Sequence, residues 1–175
     1  LLDLAQAIKR EQMDWTLDLV GVCYRTAARQ RAEQRVHREE LTDVVRRVGW
    51  DQYVVWDRMI PYFQTAKVGL VLGTDHPNQI QKIPTKFYEY LHFGLPILCS
   101  DFPVWRRFIE EHHCGAVVPT GDAEAAVQVL KRWQSHPEEY RALSAAARRA
   151  AQEYRWETEG QKLLQVYDTL LTSAE

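Results

Sequence analysis

The sequence predicts an α/β domain of the doubly wound class, in which helices cover both faces of a mainly parallel sheet. Five short apolar runs alternate with helical patterns along the chain, as parallel sheets require. The runs are rich in branched residues, as buried parallel strands are. With 175 residues, 46% of them hydrophobic, the chain suits a single domain, 1–175, with a substantial core.

The first elements are predicted to be a helix, a strand and a longer helix. An apolar stripe marks the opening helix, formed by Leu1, Leu4, Ala5 and Ile8. A buried strand follows over 16–24, where Asp18 is the one charged residue. The next helix covers 26–48 and is ended by Gly49. Arginines and glutamates interleave in its first half, which indicates a solvated face rather than a basic binding arm.

The middle of the chain is predicted to contain two more strands and the helix on which the functional argument depends. The strands cover 52–57 and 67–72, with a turn or two of helix between them at 61–66. A loop over 73–84 then leads into a helix over 85–93.

The helix 85–93 has a packed face and an exposed face. At about 100° per residue, Phe87, Tyr90 and Leu91 fall on the packed face. The opposite face carries Thr85, Lys86 and Glu89. The helix therefore points Glu89 away from the core.

The last part of the chain completes the alternation. Gly94 fits the left-handed residue that closes a helix, and Pro96 prevents its continuation before a strand at 95–100. A helix over 102–113 and a short strand at 115–118 follow. Three further helices are predicted, beginning after Asp122, at Pro137 and near Trp156, with Tyr154 assigned to the second of them.

Composition excludes several classes of function. The formal net charge is −2, from 22 basic and 24 acidic residues, so we expect no nucleic-acid partner. No apolar run approaches the roughly 20 residues of a membrane span. Three cysteines without metal-ligand spacing indicate reduced core thiols in a cytoplasmic protein. The adjacent His112, His113 and Cys114 diverge on a helix, so we predict no metal site, and no motif indicates a cofactor.

The start of helix 85–93 is the candidate binding site. Pro84 and Thr85 stand among the amides that a helix leaves unpaired, and such a start can hold an anion. Glu89 adds a lone carboxylate beside it. Together they suggest a ligand with both phosphate and hydroxyl groups, such as a nucleotide-sugar. Arg25 follows a predicted strand, where open α/β sheets place their ligands, and is a further candidate.

The segment K-F-Y-E-Y-L-H-F-G-L-P-I-L-C-S-D, at 86–101, resembles the donor-binding segment of retaining glycosyltransferases. These are the two-domain GT-B enzymes of the group 1 family, which includes sucrose synthases and bacterial mannosyltransferases. The similarity extends from about Trp15 to Leu171 and includes P-Y-F-Q-T-A-K-V-G-L-V-L and Y-R-W-E-T-E-G-Q-K-L-L-Q-V-Y. It implies that the family's first strand, its glycine-rich loop and an N-terminal acceptor domain precede Leu1.

The resemblance assigns roles to individual residues. Glu89 matches the second carboxylate of a glutamate pair spaced eight apart, which bonds the ribose hydroxyls; the alternative is a solvated glutamate paired with Lys86. Gln81 stands where the family has its first glutamate, which contacts the transferred sugar. Lys82, Thr85 and Lys86 match a variant loop that neutralises the diphosphate, although either lysine could face solvent.

The resemblance also assigns a loop to the nucleotide base. This loop corresponds to 58–61 and contains Met59 and Ile60. The alternative is that these two residues only cover the sheet edge.

The sequence thus favours the donor-binding domain of a retaining glycosyltransferase, of which the catalytic residues stay unassigned. The implied partners are a nucleotide-diphosphate sugar and the N-terminal domain, through which any membrane contact would be made. Such enzymes need no metal and often build polysaccharides or glycolipids. Gln81 and the altered loop keep open a non-catalytic interaction domain. A third hypothesis is a flavodoxin-like or response-regulator-like domain. The sequence lacks the acidic cluster that such a domain is expected to carry after its first strand.

Overall fold

Helices and strands alternate along the chain in the computed structural model, which describes residues 1–74 and 76–172. In chain order the elements are α1 (Leu2–Arg10), β1 (Leu17–Val20), α2 (Thr26–Arg38), β2 (Val45–Val48), α3 (Trp56–Thr65), β3 (Gly69–Val71), α4 (Pro77–Ile80), α5 (Thr85–Phe93), β4 (Ile97–Ser100), α6 (Pro103–His112), β5 (Gly115–Val118), α7 (Ala123–Ser135), α8 (Pro137–Ala150) and α9 (Trp156–Thr172).

The strands of these described ranges form two parallel sheets. In the first, β1 pairs with β2, and Leu17 stands opposite Val45. The second has the order β3-β4-β5, with Ile97 of β4 opposite both Gly69 and Gly115. Because the pairs are parallel, the carboxyl ends of the strands meet at one edge of each sheet, where the loops to the following helices begin.

The strand β4 lies between two layers of helices. Leu98 belongs to a core cluster with residues of α1 and α7, whereas Ile97 and Cys99 belong to a second cluster with residues of α5, α6 and α8. Successive strand residues point to opposite faces, so helices cover both faces of this sheet. The first cluster also contains Leu17 of β1, so the two sheets share one core. The predicted α/β class with parallel strands is confirmed.

The sequence prediction for 26–48 is wrong in its second half. Helix α2 ends at Arg38, and Glu40 adopts a left-handed φ of 51° as the chain turns back. Val45 and Val48, which were predicted to lie on a helix, instead belong to β2 beside β1. Branched residues fit a pleated strand at least as well as a helix, so their spacing alone misassigned this segment.

The predicted strand at 52–57 is also wrong. Residues 52–55 form neither strand nor helix, and α3 begins at Trp56. Within the run only Val54 is buried, where it packs directly on Gly49, while Tyr53 and Val55 are exposed. A single buried side chain gives a strand no apolar face to pack.

Helix α5 begins and ends where the sequence predicts. Gly94 closes it with a left-handed φ of 67°. Helix α8 braces this exit, because the Ser144 hydroxyl donates to the Gly94 carbonyl at 2.7 Å. The Arg148 side chain lies so close that a Cβ at position 94 would meet its Nε at 2.5 Å. The φ angle favours glycine, and a Cβ would also require the Arg148 side chain to move.

The C-terminal part of the chain differs from the rest in its packing. Helix α8 ends at Ala150, so Tyr154 lies outside the helix to which it was assigned. Helix α9 buries no residue, and its exposed apolar side chains include Trp156 and Leu171. None of the helices within the described ranges has the length and apolar character that a membrane crossing requires.

Candidate functional site

The candidate site lies where the segment after β3 leads into α5. Helix α5 begins at Thr85, with Pro84 in an extended conformation as its N-cap. No side chain of the described residues caps this first turn. The Phe87 amide donates to the Pro84 carbonyl at 3.0 Å, and the amides of Thr85 and Lys86 are left for another acceptor. Gln81 and Lys82 lie in the preceding turn and are exposed, as are the side chains of Thr85 and Lys86. This arrangement can accept an anion at the helix start.

Glu89 stands one turn after Thr85 and is half-buried. In the part of the chain that the structure describes, its carboxylate has no ion pair or hydrogen bond, and Lys86 does not pair with it. The alternative of a Lys86–Glu89 ion pair is therefore not what the structure contains. A carboxylate with free acceptor positions beside an open helix start can bind a ligand's hydroxyl groups.

Tyr90, the residue after Glu89, lies on the packed face of α5. The hydroxyl of Tyr90 donates to the Leu70 carbonyl at 3.3 Å. Burial, together with the nearby charge of Glu89, raises the pKa of Tyr90 to about 12. Phe87 and Leu91 are fully buried on the same side. These contacts fix the rotation of α5 and so keep Glu89 on its outer face.

Helix α3 packs against α5 through an aromatic contact. The ring of Phe63 stacks on Phe93, with ring centroids 4.9 Å apart, and also lies 6.0 Å from Tyr90. Met59 and Ile60, one turn earlier, are half-buried. The loop predicted over 58–61 is therefore part of a helix, and this prediction is wrong. The resemblance had assigned the loop, whereas Pro61 lies within α3.

Arg25 belongs to the other sheet, where it is the exposed N-cap of α2. Its loop is joined to the loop after β2 by a hydrogen bond from the Cys23 amide to the Trp50 carbonyl, at 3.0 Å. The structure thus groups Gln81, Lys82, Thr85, Lys86 and Glu89 on α5 and its leading turn, and places Met59 and Ile60 on the adjoining helix. Arg25 lies on neither of these helices, because it is the N-cap of α2.

Two buried side chains that the sequence did not single out hold the segment before α5. The Trp105 ring nitrogen donates to the Lys82 carbonyl at 2.8 Å. The Ser100 hydroxyl donates to the Gly73 carbonyl at 3.2 Å and accepts from the Gly73 amide at 3.0 Å. Helical spacing predicts that Trp105 is buried, but spacing carries no information about the partner of its ring nitrogen. Asp75, within this predicted loop, lies outside the described residues.

Other candidate features do not coincide with this site. A groove of about 610 Å³ between α2 and β2 is lined by residues that include Glu33, His37 and Arg47, and contains none of the predicted site residues. Across 1–74 and 76–172, no three His, Cys, Asp or Glu side chains are arranged to hold a metal ion. His112 instead bonds the Tyr154 hydroxyl at 2.8 Å.

The fold is similar to known glycosyltransferase structures. Sucrose-phosphate synthase from Thermosynechococcus elongatus superposes with a TM-score of 0.78 at 22% identity, over 98% of this chain and 42% of that one. A glycosyltransferase from Rickettsia africae gives 0.77 at 16% identity, over 97% and 44%. The C-terminal domain of a glycosyl transferase group 1 family protein from Francisella tularensis gives 0.66 at 13% identity, over 83% and 72%.

Sequence comparison points the same way. A phosphatidyl-myo-inositol mannosyltransferase from Mycobacterium leprae is 28% identical over 85 residues, which are 49% of this chain and 23% of that protein. The chain thus spans less than half the length of these longer relatives. The family described as Glycosyl transferases group 1 matches residues 1–150. The chain therefore belongs to the group 1 glycosyltransferase family, and its α/β fold is that of the C-terminal domain of such proteins.

Proposed function

We propose that this chain is the donor-binding domain of a retaining glycosyltransferase. One observation carries the proposal: Glu89 projects from α5 one turn after an uncapped helix start, within a domain that belongs to the group 1 family. The helix start suits the diphosphate of a nucleotide-sugar, and the carboxylate suits its ribose hydroxyls. The two groups stand on one helix, so their separation is fixed by the helix geometry.

Transfer of the sugar needs stabilisation of the departing nucleotide, which gains negative charge as the glycosidic bond breaks. In this proposal the first-turn amides of α5 and the ammonium groups of the exposed Lys82 and Lys86 neutralise that charge. Gln81, in the turn before α5, can bond a hydroxyl of the transferred sugar but carries no charge. Met59 and Ile60, on α3 beside α5, supply apolar surface for the base in this proposal. Arg25, the exposed N-cap of α2, is a further candidate contact for the donor.

The acceptor is proposed to bind a second domain of a longer protein, because relatives of this chain are more than twice its length. The mannosyltransferase relative supports a role in glycolipid or polysaccharide synthesis. We further propose a cytoplasmic location, with which the free thiols at Cys23, Cys99 and Cys114 agree. In this arrangement the chain alone binds the donor but does not transfer the sugar.

Titration with nucleoside diphosphates tests the proposal. We expect Glu89→Ala to raise the dissociation constant by about tenfold to a hundredfold, because hydrogen bonds to a charged group contribute about 1.5–3 kcal/mol. Isothermal titration calorimetry with uridine, guanosine and adenosine diphosphates would also identify the base.

The matched control is Glu111→Ala, which removes an exposed glutamate of α6 that has no ion pair among the described residues. Its affinity should equal that of the wild type. Equal affinity of the Glu89→Ala protein would remove Glu89 from the site. Failure of the wild type to bind any nucleotide would remove the proposed function itself.

A non-catalytic interaction domain is the second candidate, and the uncharged Gln81 is the observation that favours it. Glutamine cannot stabilise a developing positive charge on the sugar as a carboxylate does. Turnover of nucleotide-sugars by the full-length protein decides between the two. Sugar transfer would rule out the non-catalytic alternative, whereas its absence, together with stable co-purifying partners, would favour it.

A further inference from the structure

The segment between β3 and α5 is held at both ends by side chains from one neighbouring region of the fold. Ser100, at the end of β4, makes two hydrogen bonds with the main chain of Gly73. Trp105, in the first turn of α6, donates to the main chain of Lys82. Both anchoring side chains are 1% exposed. We call this pair of contacts the loop clamp.

The Trp105 contact is the more specific of the two. The indole has a single donor, and a buried indole needs an acceptor for it. The acceptor is a carbonyl 23 residues earlier in the chain, at 2.8 Å. The ring itself is fixed by an edge contact with Phe102 and a tilted contact with Phe87, whose centroids lie 4.7 and 5.6 Å away. The indole N–H of Trp105 is therefore held in one orientation before any ligand binds.

The clamp acts on the backbone that precedes the helix start. The Lys82 carbonyl shares a rigid peptide plane with the amide of Ile83, so a bond to that carbonyl also orients the next residue. Ile83 is half-buried against the same aromatic cluster. Pro84, with its fixed φ, then leads directly to the amides of Thr85 and Lys86. One hydrogen bond thus sets where the open turn of α5 points.

We propose that Trp105 is a positioning residue for the diphosphate of the donor: its ring nitrogen fixes the Lys82 carbonyl and thereby the first-turn amides that bind the phosphates. This inference rests on the proposed function. General destabilisation of the domain would weaken the binding of nucleoside and diphosphate alike. Loss of the Trp105 bond should act on the phosphates only, because the ribose is bound by Glu89, further along α5. Loss of the clamp should weaken phosphate binding and leave nucleoside binding intact.

The test is Trp105→Phe, which keeps an aromatic ring and removes the N–H group that donates the hydrogen bond to Lys82. We expect the dissociation constant for the cognate nucleoside diphosphate to rise about threefold to tenfold, the effect of one neutral hydrogen bond. The dissociation constant for the corresponding nucleoside should stay unchanged. Calorimetry, with displacement titration for the weaker nucleoside, measures both.

The matched control is Tyr140→Phe. Its hydroxyl donates to the Lys67 carbonyl at 2.9 Å, just before β3 and therefore at the opposite end of that strand. This variant also loses one bond from an aromatic side chain to the main chain, and both of its nucleotide affinities should equal those of the wild type.

A second variant, at Ser100, keeps the inference testable if the Trp105→Phe protein does not fold. Ser100→Ala removes one hydroxyl and both bonds to Gly73, and it should weaken diphosphate binding while sparing the nucleoside. Unchanged diphosphate affinity in the folded Trp105→Phe protein would overturn the inference, as would an equal loss for nucleoside and diphosphate. The wild-type titration separates the two failures: if the wild type binds no nucleotide, the proposed function fails, whereas if the wild type binds and Trp105→Phe binds equally well, only this inference fails.

Discussion

Glu89 and Tyr90 are neighbours in α5 but stand in opposite environments. The carboxylate faces outward without a partner among the described residues, whereas the phenol is held against the Leu70 carbonyl. The spacing of apolar residues was enough to predict this division. It was not enough to find the bond from Trp105 to Lys82, because a sequence pattern predicts burial and not the partner of a buried donor.

From the partly buried phenol of Tyr90 we predict a loss of stability at high pH. Its pKa is raised to about 12 in the folded state, above the value near 10 of an exposed phenol. The protonated form is therefore the one that folding favours, so this stabilisation is complete below about pH 10 and is lost as the pH rises towards 12. We expect Tyr90→Phe to cost about 0.5–1.5 kcal/mol at neutral pH and to make the alkaline loss shallower.

Urea unfolding at neutral pH and near pH 11 measures both effects. The exposed Tyr24, at 83% exposure, provides the control, since Tyr24→Phe should leave both curves unchanged. An alkaline loss in Tyr90→Phe as steep as in the wild type would contradict this account.

Helices and strands with explicit end signals were predictable, and those without them were not. Gly94 and Pro96 mark the boundary between α5 and β4, and Asp122 accepts a hydrogen bond from the Ala125 amide to begin α7. By contrast, β2 and α3 were misassigned. Valines at 45 and 48 suit either a strand or a helix, and the apolar run at 52–57 suggested a strand where α3 begins at Trp56. Tertiary pairing with β1 decided the first case.

Helix α9 contributes no residue to the core clusters, and all of its residues except Gly160 are exposed. Its apolar residues are exposed, among them Leu164 at 63% and Leu170 at 62%. Truncation after Arg155 should therefore change the free energy of unfolding by no more than about 0.5 kcal/mol, as expected for surface changes. It should also reduce self-association, because it removes a contiguous apolar surface. Denaturant unfolding and light scattering measure the two quantities, and a loss of about 2 kcal/mol or more would show that α9 packs on this domain.

The whole molecule has two separately paired sheets within one core. A single cluster includes Leu17 of the first sheet and Leu98 and Val118 of the second, together with residues of α1 and α7. Sequence alone predicted parallel strands between helices, but it did not predict this division into two sheets, because strand pairing depends on contacts between distant segments. A shared core should make unfolding cooperative despite the division.

Leu98→Ala tests this cooperativity. The side chain is fully buried in the shared cluster, so its truncation should cost about 2–5 kcal/mol and leave a single transition. Leu170→Ala, the same change on the exposed surface of α9, should stay within about 0.5 kcal/mol of the wild type. Circular dichroism and tryptophan fluorescence should give coincident curves for both proteins. Separate transitions by the two probes would mean that the sheets unfold independently.

The hydrogen bonds that hold the two ends of α5 have a consequence for ligand binding. Trp105 holds the chain ahead of the helix, and Ser144 bonds Gly94 behind it. Helix α5 is thus held at both termini, and a ligand that binds at its N-terminus meets a preorganised surface. Little of the binding energy is then spent on ordering the backbone, so affinity at this end depends mainly on the chemistry of the groups that meet there.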